Sequence, residues 1–314
     1  MSGCRRVGIL GAGGIGGLLA TTVQAAGHEV VVVTTTTGAA ALAGSGFSLH
    51  SARFGVLRAS PAVVTSLDRH VDVLFVAVKA PSLSAALDSV ASRWLHGTAV
   101  VPLLNGVDHV DRLRHWVPGA VTVPATIKAE ATRHAPGSVL HNGSSALVEL
   151  ARTPWTAAAA DTAGAVLTSA GFEVGYHTAE AVVLWRKLTF LAPLALATTV
   201  VLGDLGTVRA ERSGLLDLLV DDVCAIARAH GHADADPTAV RQTLASLPPT
   251  TRSSLLRDVE AGRVNELDAI GGALTRLAKR ADIAVPTLTA VMAELEQRSD
   301  KRLVYPQQEP GGTI

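Results

Sequence analysis

The sequence is short of cysteine, of net charge, of long apolar runs and of lysine, and each shortage removes a class of function. Its 314 residues include only two cysteines. Cys4 and Cys224 lie far apart and in no metal-like spacing, so no metal site is expected, and a reducing, cytoplasmic compartment is the simplest reading. Acidic and basic residues balance at 27 each, which gives no electrostatic reason to expect nucleic acid or a membrane surface as a partner. The longest apolar run, Leu188 to Leu202, falls short of the ~20 residues that a membrane span needs, and a buried helix is expected there. Arg5 and Arg6 ahead of an apolar stretch have the outline of a signal peptide, but four glycines within residues 11–16 interrupt it. No internal repeat of solenoid period is visible. Only Lys79, Lys128, Lys187, Lys279 and Lys301 among the basic residues are lysine; the other 22 are arginine. A desolvated ammonium can give up a proton near neutral pH and a guanidinium effectively cannot. The positions of the few lysines therefore matter, with Lys279 and Lys301 read as residual usage.

What is present is a chain 48% hydrophobic, long enough for two domains with cores of their own. Residues 7–37 read as a short apolar run, a glycine turn, an apolar-periodic helix and a β-branched run. Gly11, Gly13 and Gly16 have the G-x-G-x-x-G spacing of a dinucleotide-binding turn. Gly11 permits the bend, Gly13 lets backbone approach a pyrophosphate, and Gly16 lets helix and strand pack closely, while the free N–H groups of the helix start face the phosphates. Gly11, Gly13, Gly14, Ile15 and Gly16 are the candidate cofactor-binding residues of the turn, and a nicotinamide cofactor is expected. The next strand, Val30 to Val33, ends in Thr34 to Thr37 where NAD enzymes commonly place an Asp or Glu for the ribose 2′-hydroxyl. Without that carboxylate, Thr34 and Thr35 are candidates for a 2′-phosphate, and NADP (as NADPH) is favoured over NAD.

Two more buried strands, Val71 to Val78 and Thr98 to Leu104, end at Lys79 and Asn105. In open α/β sheets the ligand crevice lies beyond the carboxyl ends of the strands, so both residues point toward the cofactor side. By position alone Lys79 is equally a solvated strand-end lysine. Val121 to Ile127 is expected to end at Lys128 by the same logic, with a hairpin strand around Val139 after Pro136-Gly137 and a further helix-to-strand passage from Ala165 to Val174. Helical patterns then follow one another: Ala179 to Leu202, Ser213 to His230, Pro237 to Leu247, Ser253 to Ala261, Asn265 to Ala281, and a last helix from Pro286. The expected class is α/β, an N-terminal Rossmann domain followed by an all-helical C-terminal domain, with boundaries 1–177 and 178–303 and a tail at 304–314.

The helical half contributes Trp185-Arg186-Lys187-Leu188, then Ser253-Ser254-Leu255-Leu256-Arg257-Asp258, then Asn265-Glu266-Leu267-Asp268. A carbonyl that accepts hydride becomes an alkoxide and needs a proton, which a partly desolvated lysine can supply after first polarising the carbonyl. Pattern alone reads Glu266 as a surface helix residue. Together with GAGGIG, GHEV, VKA at Val78, LLNGV at Leu103, PGSVLH at Pro136 and NELDAIGG ahead of IAVPT, these motifs resemble the ketopantoate reductases (2-dehydropantoate 2-reductases). The resemblance runs over about residues 6–303. It implies a Rossmann domain plus a helical domain, with NADPH and a small 2-oxo acid bound in the cleft between, as a monomer or homodimer. It also implies reduction of 2-dehydropantoate to (R)-pantoate, a step of pantothenate biosynthesis. Carried over by position, Lys187 looks like the proton donor and Glu266 the substrate-binding and catalytic acid. Ser254 resembles the substrate-carboxylate ligand, Lys79 and Asn105 the cofactor and cleft residues, and Lys128 is a further substrate-side candidate.

One departure bears on the substrate. Members of that family usually carry asparagines four and eight residues after the lysine, and here those positions are Leu191 and Ala195. At ~3.6 residues per turn, Lys187, Leu191 and Ala195 share one helix face. That wall is hydrocarbon, and a substrate hydroxyl facing it would be buried without a partner. The same chemistry on a less polar carbonyl or imine is the alternative.

Overall fold

A computed structural model describes residues 3–304, which divide into two compact units between Leu184 and Trp185. In the first, β1 (Arg6–Leu10), α1 (Gly14–Ala25) and β2 (Glu29–Val33) form the expected strand-turn-helix-strand passage, followed by α2 (Thr36–Leu42). Then come β3 (Phe47–Ser51), β4 (Gly55–Ala59), β5 (Ala62–Val64), β6 (Val73–Val76), α3 (Leu83–Leu87), β7 (Ala99–Pro102), α4 (Asp108–Trp116) and β8 (Val121–Thr122). The long strands β9 (Ala125–Ala135) and β10 (Ser138–Ala151), with α5 (Ala157–Ser169) and β11 (Glu173–His177), complete it.

Six strands in the order β5-β2-β1-β6-β7-β8 make one sheet, parallel throughout. The strand-helix alternation fixes this topology, since parallel neighbours need crossover connections. Val7, Ile9, Val30, Val32, Val73, Phe75, Ala99 and Val101 point to one side, into a core shared with α1, α5 and a second sheet. Leu10, Val31, Val33, Leu74, Val76 and Val100 point to the other, into a core shared with Leu83, Leu87 and Leu113. Burial on both faces is why these strands read as unbroken apolar runs rather than as alternations.

The second sheet, β11-β10-β3-β4 with β9 paired to β10, takes in the strands expected around Val139 and at Val174, whereas β3 and β4, within residues 38–70, have no counterpart among the expectations from sequence. It also corrects the placement of Lys128. Val121 to Ile127 is not one strand: β8 ends at Thr122, and Pro124, which has no N–H for a ladder, lies between it and β9. Lys128 therefore sits within β9, opposite Leu147 of β10 in an antiparallel pair, and not at the carboxyl end of a parallel strand.

The second unit is helical. After α6 (Glu180–Val201), within which the division falls, come α7 (Leu205–Glu211), which the sequence reading missed, α8 (Leu215–Ala229), α9 (Pro237–Ala245) and α10 (Ser254–Glu260). A π-helical turn (Asp268–Gly272) runs straight into α11 (Ala273–Arg280), and α12 (Pro286–Val304) is last. The tail expected from 304 lies, Val304 apart, outside the described residues. By length and composition α6 is long and apolar enough to cross a membrane, but most of its apolar window is buried within the protein.

Candidate active site

The glycine turn is built as its spacing requires. Gly11 has φ +108°, and its N–H donates to the Val33 carbonyl at 2.9 Å, tying the turn to the end of β2. A Cβ on Gly16 would lie 1.8 Å from the Gly11 carbonyl oxygen, and one on Gly14 would lie 2.0 Å from that of Ala131 in β9. Gly14 is thus demanded by the approach of the second sheet, and Ile15 packs its side chain against the larger core. Gly13 differs. Its φ of −81° suits any residue, and a Cβ there would meet nothing nearer than the Ala77 carbonyl oxygen at 4.0 Å. The protein's own packing asks for no glycine at 13, whereas a pyrophosphate lying on the turn would. The first turn of α1 carries no acidic residue and no side-chain cap, so its leading N–H groups are available to an anion. The residues fit a dinucleotide.

Thr34 and Thr35 follow β2 as expected. Thr35 caps α2, its Oγ1 accepting the Gly38 N–H at 3.1 Å, which leaves its own proton for donation. Lys79 lies three residues past β6, at the start of a short 3-10 turn (Ala80–Ser82). Asn105, past β7, precedes Gly106, which has φ +88°. Both side chains are half-buried beyond the carboxyl ends of their strands. Lys128 is elsewhere, its Nζ 3.9 Å from Oε2 of the buried Glu149, whose Oε1 is 3.0 Å from Nε2 of His177.

In the helical unit Lys187 and Leu191 are half-buried and Ala195 is 1% exposed, along one stripe of α6. Two residues before the lysine, Trp185 stacks on His230 with ring centroids 6.1 Å apart, and His230 Nε2 is 3.1 Å from the Leu277 carbonyl. The start of the stripe is thereby held to α8 and α11. Thr189 is turned away, its hydroxyl donating to the Trp185 carbonyl at 3.0 Å.

Ser254 is the exposed first residue of α10, and Ser253 is the buried N-cap, its Oγ accepting the Leu256 N–H at 3.1 Å. Glu266 is half-buried and immediately precedes Leu267 and the π-helical turn; its carbonyl accepts the Ile270 N–H at 3.0 Å. The loop that delivers it is closed by Arg263, whose Nε donates to Asp258 Oδ1 at 3.0 Å and whose backbone N–H donates to the Asp258 carbonyl at 2.9 Å. A Cβ on Gly271 would lie 2.2 Å from Met292 Sδ and 3.1 Å from a methyl of Leu196, so this turn packs directly on α6 and α12.

Two families match the sequence in tandem, "Ketopantoate reductase PanE/ApbA" over residues 7–155 and its C-terminal counterpart over residues 182–299. The chain belongs to the ketopantoate reductase family. It is 31% identical over 235 residues to a 2-dehydropantoate 2-reductase of Mycobacterium tuberculosis, which covers 73% of this chain and 77% of that one. Its fold is that of the 2-dehydropantoate 2-reductase of Methylococcus capsulatus (TM-score 0.82, 23% identity, 98% of this chain and 100% of that one). The fold is shared equally with a D-mandelate dehydrogenase solved with NADH and anilino(oxo)acetate (TM-score 0.83, 20% identity, 94% and 99%). The chain is thus an oxidoreductase of the ketopantoate reductase family, with the family's nicotinamide-dependent chemistry on small oxo acids.

The family motifs drew the sequence reading to Ser254 and Glu266 and past the residues that hold them. Ser253 carried a signal, being a serine directly ahead of an apolar helical run, the pattern of an N-cap. Thr198 carried one too, as a hydroxyl three residues past Ala195 on the lysine stripe. The Asp258–Arg263 closure and the π-helical turn had none that pattern could supply.

Proposed function

We propose that the protein reduces a small 2-oxo acid to the 2-hydroxy acid with NADPH, by the chemistry of ketopantoate reduction and with a preference for substrates less polar than ketopantoate. Gly13 carries the cofactor half of this reading, as the one glycine of the turn that only a ligand explains. The bound nicotinamide supplies the hydride. Gly11, Gly13, Gly16 and the first N–H groups of α1 would hold the pyrophosphate, with Lys79 and Asn105 as further cofactor ligands and Thr34 and Thr35 toward the 2′-phosphate.

Lys187 would polarise the keto oxygen and give it the proton that balances the charge arriving at C2, and solvent would then reprotonate the amine. Ser254 would donate to the substrate carboxylate, and Glu266 would orient substrate and ammonium. The substrate preference rests on Leu191 and Ala195. Both lie on the Lys187 stripe, and Thr189, which could have restored a polar wall, spends its hydroxyl on its own helix. The D-mandelate dehydrogenase relative in fold, solved with anilino(oxo)acetate, supports the view that this architecture accepts an aromatic group beside an oxoacetate.

NADPH oxidation measured with ketopantoate, 3,3-dimethyl-2-oxobutanoate and phenylglyoxylate tests the reading. Turnover of at least one with 2-hydroxy acid as product supports the reductase chemistry and turnover of none overturns it, while a preference for ketopantoate over the two less polar acids would overturn the substrate preference. Tighter binding of NADH than of NADPH would overturn the cofactor preference.

A further inference from the structure

Thr198 lies on the same stripe of α6 as Lys187, Leu191 and Ala195 and is fully buried. Its Oγ1 is 2.7 Å from the Leu194 carbonyl, 3.3 Å from that of Ala195, and 2.8 Å from Ser253 Oγ. A hydroxyl has one proton, and carbonyls only accept. Thr198 therefore donates to Leu194, and the proton between the two hydroxyls comes from Ser253. Ser253 Oγ in turn accepts the Leu256 N–H. The chain runs one way: from the Leu256 N–H to Ser253 Oγ, to Thr198 Oγ1, to the Leu194 carbonyl.

A helix cap needs only the first of these bonds. The second selects one rotamer for Ser253 and one register between α6 and α10. Thr189 and Thr199 of α6 make the same back-donation along their own helix, to Trp185 at 3.0 Å and Ala195 at 2.6 Å; what Thr198 has in addition is the bond to Ser253. Ser254, the residue after Ser253, is exposed, so its backbone is pinned to α6 while its side chain is left for another partner.

We propose that Thr198 and Ser253 are a positioning pair that sets the carboxylate ligand Ser254 relative to the Lys187 face of α6. The proposal rests on the roles assigned above to Ser254 and Lys187. Steady-state kinetics with NADPH and 3,3-dimethyl-2-oxobutanoate, or ketopantoate if that is the better substrate, test it. Thr198→Val keeps the β-branched shape and removes the acceptor. It should raise KM for the oxo acid about tenfold, since sub-ångström misplacement of a substrate-holding group costs on this scale, and leave the NADPH Kd unchanged. Thr198→Ser, which restores the hydroxyl, should bring KM back to within about twofold of wild type. Ser254→Ala should raise KM by itself, and Thr198→Val should then add nothing further.

A wild-type KM in Thr198→Val, or an equal rise with and without Ser254, would reduce the pair to a structural link whatever the melting temperature does. Should Thr198→Val fail to fold, Ser253→Ala breaks the same bond from the other side and is read by the same two criteria. If Ser254→Ala alone leaves KM untouched, the underlying assignment of Ser254 fails first, and the proposal with it.

Discussion

The nucleotide turn of the first unit and the lysine stripe of the second are built from different material. The turn is backbone: Gly11 at φ +108°, Gly14 and Gly16 each under a carbonyl that no Cβ could approach, and Gly13 with space above it. The stripe is side chain: Lys187, Leu191, Ala195 and Thr198 on a helix held by His230, Ser253 and the π-helical turn. Backbone sites tolerate almost no substitution and change little in what they bind, whereas a helix face keeps its geometry while its side chains, and so its substrate, are exchanged. On the proposed reading, Lys187 beside Leu191 and Ala195, where the family resemblance implies asparagines, is an instance of that second behaviour.

The largest effect should come from the turn. Gly13→Val should abolish NADPH binding, raising Kd by more than about a hundredfold as the side chain takes the pyrophosphate's place. Gly13→Ala should weaken NADPH binding at an unchanged melting temperature, because outside its own turn its Cβ would meet nothing nearer than the Ala77 carbonyl oxygen at 4.0 Å. Gly14→Ala, with the Ala131 oxygen 2.0 Å from the new Cβ, should instead lower the melting temperature. Equal behaviour of the two alanine variants in calorimetry and cofactor titration would erase the distinction between a ligand-imposed and a packing-imposed glycine.

Next in size is Lys187→Ala. It should lower kcat by roughly 10²–10⁴-fold if the ammonium is the general acid, with NADPH affinity nearly unchanged. Surviving turnover would move the proton donor off the stripe. Smaller again is the double change Leu191→Asn, Ala195→Asn. Each hydrogen bond lost in a closed site costs ~1–3 kcal/mol, so returning two amides should raise kcat/KM on ketopantoate by about tenfold or more while weakening reduction of purely apolar 2-oxo acids. An unchanged ratio would show that neither position faces the substrate.

What the sequence disclosed follows the same division. The parallel sheet, the glycine turn, the hairpin after Gly137 and six of the helical patterns are local events, set by period, β-branching and glycine, and they were legible to within a few residues. Non-local events were not. The second sheet pairs β10 with β3 across about 90 residues, and nothing within residues 47–59 announces that partner. Lys128 was misplaced because Pro124 was read through rather than as a break. Thr198 and Ser253 were visible as residues, but their bond spans 55 positions and only folding brings them together.

The smallest expected effect lies past the C-terminal end of α1, the end away from the glycine turn. His28 is buried, with Nδ1 accepting the Arg5 N–H at 3.1 Å and Nε2 2.8 Å from Ser169 Oγ. Ser169 gives its own proton to the Val166 carbonyl at 2.7 Å, so Nε2 carries the ring's hydrogen and the imidazole is neutral. Burial first, and Arg5 second, hold its pKa below the usual 6.5. A group depressed on folding stabilises the protein above its unfolded value and loses that contribution as the pH falls through it toward the lower folded value. The melting temperature should therefore fall between pH 7.5 and 5.5, and by less in His28→Gln. A variant with an undiminished slope would assign the pH dependence to other groups.

The central claim is the family's reaction carried out against the hydrocarbon wall of Leu191 and Ala195, and one pair of rates tests it. Ketopantoate and 3,3-dimethyl-2-oxobutanoate differ by a single hydroxyl. With the unmodified protein and NADPH, kcat/KM should favour the acid that lacks the hydroxyl by about tenfold or more, the cost of burying it against Leu191 and Ala195 without a partner. A preference for ketopantoate would contradict the account and leave the ordinary family activity in its place.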